Sequence, residues 1–598
     1  MDERHPLMNV RRSYSGRRWL LREVDAAAAG RFARDANVSH ALANLLLARN
    51  VQANDAAEYL SPTLKRLLPE PFALRDMERA VARTVLALNR REKIAVFGDY
   101  DVDGSCSAAL LCEFLTELGQ PPLLYIPDRL REGFGPNAAA LRELKDRGAS
   151  LVITVDCGAT ADDVLAEARG YGLDTIVLDH HALEAAGSNT DSSAIAGIHV
   201  NPNHPNDNSG FGYLCAAGVT FLFAVALNRE LRRSGWYAAN GVAEPDLRRS
   251  LDLVGLATVC DVVPLVGINR AFVRAAEARL SKLERPGIRS LAAVARAEPP
   301  FSLYHCGFVL GPRINAGGRV GRCSLGAELL TARHDADAAP LAELLELHNR
   351  ERQALESTIV QEAVAQVLQE QGNAPFVLVS GDGWHPGVVG IVAGRLKDRF
   401  RKPVFAIGCD GESARGSSRS IPGVDVGAVV RAAREAGVVA TGGGHPMAAG
   451  FSLHPRQVGS FRDWLGDRFR AVGDNTEPDC DLLLDALISP SGATAALVEE
   501  IDRAGPFGAG NSEPLFAACD VRLAFADVVG QGHVRLKLQG GDGHTMSAIA
   551  FRAADMPLGQ ALLAARGQRI HAAGVLRANK WNGRVEAQLQ VEDAAAGT

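Results

Sequence analysis

Short apolar runs recur from Lys93 onward at 94–97, 123–126, 151–155 and 175–178, with helix-patterned stretches between them. Runs this short, apolar throughout and alternating with helices, predict strands of a parallel sheet buried on both faces. In open α/β sheets ligands bind outside the carboxyl ends of the strands. Three of the four runs here end in acidic or imidazole side chains: Asp99, Asp156 and Asp179-His180-His181. Before this region, Leu42, Leu45, Leu46, Val81, Val85, Leu86 and Leu88 fall at helical spacing and predict a helical lead-in. After it, one long apolar stripe runs over 336–371 through Leu341, Leu344, Leu345, Leu355, Ile359, Val360, Val364, Val367 and Leu368. That helix either joins two lobes or is an ordinary core helix. A second α/β pattern covers 376–469, with Gly416 and Gly442-Gly443-Gly444 read as turns. The remainder reads as short strands at 534–538, 546–551, 570–576 and 585–591, a spacing that suits a small β-barrel. The expected division is a lead-in (1–78), a first α/β domain (79–335), a connector helix (336–372), a second α/β domain (373–472) and a terminal barrel (473–598).

Composition narrows the partners. The 598 residues are 47% hydrophobic, enough for several cores. A formal net charge of -6 excludes a globally basic nucleic-acid binder, so positive potential for such a ligand must be confined to a groove. Ten Cys occur without a C-x-x-C pair, which signals neither a zinc ribbon nor a disulfide framework and fits free thiols in a reducing cytoplasm. No apolar run is long enough to span a bilayer, and the charged N-terminus has no apolar segment of signal-peptide type, so a cytoplasmic location is expected. Arg11, Arg12, Arg17 and Arg18 make a basic start, read as a solvated tail or as a nucleic-acid arm.

The strongest chemical signal is Gly98-Asp99-Tyr100-Asp101-Val102-Asp103-Gly104, three carboxylates at alternate positions directly after a strand. They repel one another unless a cation neutralises them. Hard oxygen donors suit Mg²⁺ or Mn²⁺, and the preceding strand argues against an EF-hand loop. Asp156 alone could be a cap or turn residue. His180 and His181 add imidazole nitrogen, which favours Mn²⁺. Asp261 lies among apolar neighbours, where an unpaired carboxylate is rare. Together these residues suit two cations in the arrangement used for phosphoryl cleavage.

At these four segments the sequence resembles the DHH phosphoesterase superfamily, named for the triplet found here as Asp179-His180-His181. Trp384-His385-Pro386-Gly387 and Gly443-Gly444-His445-Pro446 resemble its DHH-associated domain. Segment 311–319, Gly505-Pro506-Phe507-Gly508-Ala509-Gly510-Asn511 and Trp581-Asn582-Gly583 resemble the RecJ branch, a family of single-strand-specific 5′→3′ DNA exonucleases. The resemblance implies a parallel-sheet DHH domain and a second α/β domain joined by a long helix, with a C-terminal OB-fold barrel. It implies that Asp101, Asp103, Asp156, His180 and Asp261 ligate two Mn²⁺ or Mg²⁺ ions, and that Asp99, Asp156 and His181 act in catalysis. It places Arg313, Arg319, Ser417, Arg419, Gly443, Gly444 and His445 on the phosphates and the 5′ end. The alternative readings are surface charge for Arg415 and Arg419, a structural histidine for His445, and core residues for Trp384 and His385. The chain departs from the family pattern at Gly317, where Ala is frequent.

The implied substrate is single-stranded DNA, threaded between the two lobes and excluding duplex. Single-strand-binding protein and a RecQ-type helicase are implied partners, with no membrane and a monomeric enzyme. In the barrel, Arg535, Lys537, Arg577, Lys580, Trp581 and Arg584 are candidates for a basic, aromatic groove. The competing enzyme reading is a DHH-type phosphodiesterase acting on short oligonucleotides or cyclic dinucleotides. A non-catalytic scaffold is the third, opposed by the intact set of carboxylates.

Overall fold

The computed structural model describes residues 5–129, 131–183, 197–370, 374–472, 481–581 and 584–597. The chain divides into two compact units, one formed by Glu70–Val263 with Ala275–Asp479, the other by Met1–Pro69, Pro264–Arg274 and Cys480–Thr598.

The first unit holds two sheets. Strands β1 (Ile94–Gly98), β2 (Leu123–Tyr125), β3 (Leu151–Val155), β4 (Asp174–Leu178) and β5 (Ile198–Val200) form an all-parallel sheet in the order β2-β1-β3-β4-β5. All five residues of β1 and of β3 are buried, as expected of strands covered on both faces. One face packs on the helices Ala138–Asp146 and Asp162–Gly170 through Leu141, Leu144, Leu165 and Ala168. On α1 (Val102–Glu117) and α2 (Ala216–Arg233) apolar residues occur all round, because both are buried on most sides. The order reverses at β1, which has β2 on one side and β3 on the other. This switch point opens the crevice where ligands bind in such sheets, and Asp99–Asp103 and Asp156 follow its two strands.

Helix α3 (Leu251–Cys260) packs on α1. Helices α4 (Pro286–Ala295) and α5 (Gly311–Val320) follow, then α6 (Asp335–Glu370), a single helix of 36 residues. It packs on α4 and α5 near its start and on β6 (Val377–Asp382) and α7 (Pro386–Phe400) further on, so it does join two lobes. The second sheet has the order β9-β10-β8-β7-β6, with β7 (Val404–Asp410), β8 (Ser413–Arg419), β9 (Thr441–His445) and β10 (Ala448–Leu453). Only β6 and β7 pair in parallel. Gly416 and Gly442, expected in turns, lie inside strands. A Cβ on Gly416 would meet the Phe451 ring at 2.1 Å, and one on Gly442 would meet Val430 at 2.6 Å, so these glycines make room for packing.

The second unit is built on a barrel of β11 (Leu515–Val529), β12 (His533–Gln539), β13 (Thr545–Ala550), β14 (Arg569–Trp581) and β15 (Arg584–Ala596), closed by pairing of β11 with β14. The segment expected to be wholly helical contains a strand, Arg18–Leu21, which pairs in parallel with Asp481–Leu484. Its Trp19 is fully buried and donates from Nε1 to Asp593 at 2.9 Å.

Candidate metal centre

The loop after β1 is shaped by close packing. A Cβ on Gly104 would lie 2.5 Å from the Asp99 carbonyl oxygen, so only glycine fits there. Asp101 caps α1 by accepting from the Gly104 N–H at 3.1 Å. Asp103, in the first turn of α1, is buried and accepts from the N–H groups of Ala216 and Ala217 at 2.7 and 2.8 Å. The α2 N-terminus thereby holds the carboxylate in place. Asp156 follows β3 with φ +61°, a left-handed conformation that costs a non-glycine residue about 1–3 kcal/mol and is found at functional sites. After β4, Asp179 accepts from the N–H groups of Ala159, His180 and His181 at 3.0, 2.7 and 3.2 Å, and its Oδ1 lies 2.8 Å from His181 Nδ1. Asn201 and Asn203, just past β5, donate to the carbonyls of His181 and His180 at 2.9 and 2.6 Å. Asp261 stands at the C-cap of α3, so this carboxylate reaches the centre from a helix end.

These segments converge on His180. Its Nε2 lies 3.7 Å from Asp103, 3.5 Å from Asp156 and 3.6 Å from Asp261. Three sets of potential ligands overlap: Asp156 with His180 and His181, Asp103 with His180 and Asp261, and Asp99 with Asp101 and Asp156, each set having its donor atoms within 4.8 Å. Asp156 and His180 each belong to two of the sets, so the three sets form one continuous centre. Asp156 Oδ1 and His180 Nε2 are buried without a hydrogen-bond partner, which is costly unless another group satisfies them. Burial, then the neighbouring Asp101, pushes Asp99 up to about 8. Burial, then Asp103 and Asp101, does the same to Asp261, and burial with adjacent carboxylates raises Asp103 and Asp156. A set of hard oxygen donors with imidazole nitrogen, crowded to mutual repulsion and holding orphaned ligand atoms, fits divalent cations. Burial alone would raise Asp179, but the His181 hydrogen bond and both imidazoles outweigh it and hold the carboxyl at about 2. The same hydrogen bond lifts His181 to about 9.

A second polar cluster lies beside Tyr100. A Cβ on Gly318 would reach the Tyr100 ring at 1.9 Å, so the end of α5 sits directly on that ring. The Arg129 guanidinium stands over it, 5.3 Å from the centroid. Arg319 donates to the Gly387 carbonyl at 3.0 Å, and Arg419 to Ser417 Oγ at 3.0 Å and the Ser418 carbonyl at 2.8 Å. Among the described residues neither pairs with a carboxylate. Burial lowers the pKa of both, and Arg319 lowers that of Arg419 further. Two half-buried cations that repel each other would be stabilised by an anion between them. Gly443 of β9 faces Gly450 of β10, which faces Ser417 of β8. A Cβ on Gly443 would meet nothing within 4 Å, leaving its backbone open to approach.

Family models match the chain over most of its length: the DHH family N-terminal domain at 93–249, the DHHA1 domain at 364–471 and the RecJ OB domain at 484–593. The single-stranded-DNA-specific exonuclease RecJ of Bacillus subtilis is 32% identical over 97% of this chain and 71% of its own length. That of Escherichia coli is 33% identical over 85% and 88%. The chain belongs to the RecJ family. A crystal structure of RecJ from Thermus thermophilus in complex with Mn²⁺ superposes with a TM-score of 0.80 at 28% identity, covering 97% of this chain and 80% of that one. The Mg²⁺ complex gives 0.74 at 26% identity, over 97% and 79%.

In this RecJ family member Asp99, Asp101, Asp103, Asp156, His180, His181 and Asp261 meet in one centre, and Arg319, Ser417 and Arg419 in a second cluster. Gly444 (φ +147°) and the exposed His445 end β9. Arg313 stands apart: its Nε donates to Glu346 of α6 at 2.7 Å and its Nη1 to the Val309 carbonyl, just before α5, at 2.7 Å. Trp384 is buried and donates to Glu362, while His385 caps α7 by accepting from the Gly387 N–H. The Gly317 departure has a local cause, since a Cβ there would crowd Leu345 at 3.2 Å and the Arg322 carbonyl at 3.1 Å. Sequence reasoning missed Arg129, Asn201 and Asn203, although Arg129 follows the run at 123–126 and the asparagines follow β5. In the barrel Arg535 and Lys537 are exposed, Arg535 stands over Phe525 at 5.4 Å, and Arg577 pairs with Glu513. The side chains of Lys580, Trp581 and Arg584, and residues Asn582 and Gly583, lie outside the described residues.

Proposed function

We propose that this chain is a two-metal 5′→3′ exonuclease that degrades single-stranded DNA to 5′-mononucleotides in DNA repair and recombination. The observation that carries the reading is the meeting of seven acidic and imidazole residues around orphaned buried atoms of Asp156 and His180, in a member of the RecJ family. Asp101, Asp103, Asp156, His180 and Asp261 would hold Mn²⁺ or Mg²⁺. When bound, such cations supply Lewis acidity and lower the pKa of water towards neutrality.

The chain's own residues do the rest. Asp103 is fixed by the α2 N-terminus and Asp156 by its strained turn, so the donors are set before substrate arrives. His181, charged through Asp179, holds a proton beside the centre for the charge that develops on phosphoryl oxygen. Asp99 orients the attacking water. Arg319, Arg419 and Ser417, with the open backbone of Gly443, Gly444 and His445, take the phosphate at the 5′ end. Arg313, tied to Glu346, positions α5, which carries Arg319. The five-part division at 78, 335, 372 and 472, action as a monomer in the cytoplasm, and work beside single-strand-binding protein and a RecQ-type helicase belong to the same proposal. No helix among the described residues is long and apolar enough to cross a membrane.

The test is a nuclease assay with Mn²⁺ or Mg²⁺ on single and double strands labelled at either end. The proposal predicts early release of the 5′ label as mononucleotide from single strands, with duplex spared. Intact single strands, or faster turnover of dinucleotides than of long strands, would contradict it.

A further inference from the structure

Helices α1 and α3 run antiparallel, and like charges meet at both ends of the pair. At one end Asp103 and Asp261 face the same imidazole nitrogen. At the other, Glu113 of α1 and Asp252 of α3 meet on a single guanidinium. Arg285, at the N-cap of α4, donates from Nε to Asp252 Oδ2 at 2.8 Å and from Nη2 to Asp252 Oδ1 at 3.2 Å and Glu113 Oε2 at 3.1 Å. Its Nη1 donates to the Leu330 carbonyl at 3.2 Å. The side chain is only 10% exposed. Glu113 lies about 15 Å along α1 from Asp103, and Asp252 about 13 Å along α3 from Asp261. Between the ends both helices are buried and rich in small residues: Ser105, Ser107, Ala108 and Ala109 on α1, Gly255 and Ala257 on α3. Apolar packing sets the distance between two helices but is non-directional, and small side chains resist sliding only weakly. A forked guanidinium between two carboxylates is directional.

We propose that Arg285 is a positioning residue of the metal centre: by clamping Glu113 to Asp252 it fixes the register of α1 against α3, and with it the separation of Asp103 and Asp261. The inference rests on reading that cluster as a divalent-cation site. The protein supplies its own cation at the far end of the helix pair, and the metal takes that place at the near end. A rigid helix transmits a shift along its axis undiminished, so losing the clamp displaces the carboxylates that must close on the ion. A cleft of about 330 Å³, lined by Glu113, Asp252, Arg285, Arg249, Arg279 and Thr331 among others, opens on the clamp and is large enough to admit a free guanidinium ion.

The experiment is Mn²⁺ titration of the full chain by electron paramagnetic resonance for wild type, Arg285→Ala, Arg285→Lys and Glu113→Gln, with circular dichroism to monitor folding. Arg285→Ala is expected to weaken Mn²⁺ binding roughly tenfold or more, the range seen when a partner that orients metal ligands is removed. The KM for a single strand stays unchanged. Lys, a point charge that cannot fork, restores only part of the affinity, and millimolar guanidinium restores more of it to Arg285→Ala while leaving wild type unaffected. A folded Arg285→Ala that binds Mn²⁺ as tightly as wild type, with only a lower unfolding midpoint, overturns the proposal. If Arg285→Ala does not fold, Glu113→Gln decides: weaker Mn²⁺ binding supports the clamp and wild-type affinity overturns it. A wild type that binds no Mn²⁺ would instead refute the metal reading itself.

Discussion

Replacing Arg419 by Gln tests the anion cluster separately from the metal centre. In the free protein the Arg419 charge is half-buried, beside the half-buried Arg319 and without a carboxylate partner among the described residues. Gln removes the repulsion and can keep a hydrogen bond to Ser417 Oγ, now 3.0 Å from Nη1. The variant is therefore expected to be at least as stable as wild type. Its cost appears with substrate. A charge-assisted hydrogen bond to phosphate contributes about 1.5–3 kcal/mol, which converts to about a 10–150-fold rise in KM for a 5′-phosphorylated single strand. A 5′-hydroxyl strand, lacking that group, should lose much less, so the preference of wild type for the phosphorylated end should nearly vanish. One lost phosphate contact should also reduce the slope of log KM against log salt by roughly 0.7. The assay is steady-state cleavage of both strands at several salt concentrations, with an unfolding curve for each protein. A KM within about twofold of wild type on the phosphorylated strand would refute the argument, as would equal losses on both strands.

Asp156→Ala removes the carboxylate shared by two ligand sets; cleavage should fall at least about 10³-fold while binding of single-stranded DNA, measured by fluorescence anisotropy, persists. Near-normal turnover would sink the ligand assignment. Stability should depend on pH in a way that metal reverses. Asp99 and Asp261 are raised to about 8 when no cation balances them, and a group with a raised folded pKa contributes stability at low pH that is lost as pH rises through that value. The unfolding midpoint of chelated protein should fall as pH rises from about 4 to about 8 and level off above that, and Mn²⁺ should raise it by an amount that grows with pH over the same range; a midpoint independent of pH contradicts this. Gly318→Ala would drive a methyl into the Tyr100 ring at 1.9 Å and displace the side chain between Asp99 and Asp101, at a cost of about 1–3 kcal/mol. Measured kcat should drop, and an unchanged rate would show that the ring has room to move.

The centre was largely legible because three of its segments follow strands buried on both faces, and such strands appear as bare apolar runs. Asp261 was legible as a candidate from its apolar flanks but its element was not, since Thr258, Val259 and Cys260 look the same before a buried helix end as in a strand. The longest barrel strand, Leu515–Val529, escaped notice: Ala517, Ala518, Ala524 and Ala526 weaken the β signal, and a register shift between Leu523 and Phe525 breaks the alternation. The pairing of Arg18–Leu21 with Asp481–Leu484 spans most of the chain, beyond any local pattern. Arg129 lies in a loop whose path over Tyr100 is set by tertiary packing, and Glu113, Asp252 and Arg285 come from three distant segments.

The central claim is that this cluster holds two divalent ions for strand cleavage. Titrating the full-length chain with Mn²⁺ and counting bound ions by native mass spectrometry tests it most directly. Two Mn²⁺ per wild-type chain, with loss of at least one in Asp156→Ala, is the predicted result. A wild-type chain that binds none, or an Asp156→Ala chain that still binds two, would contradict it.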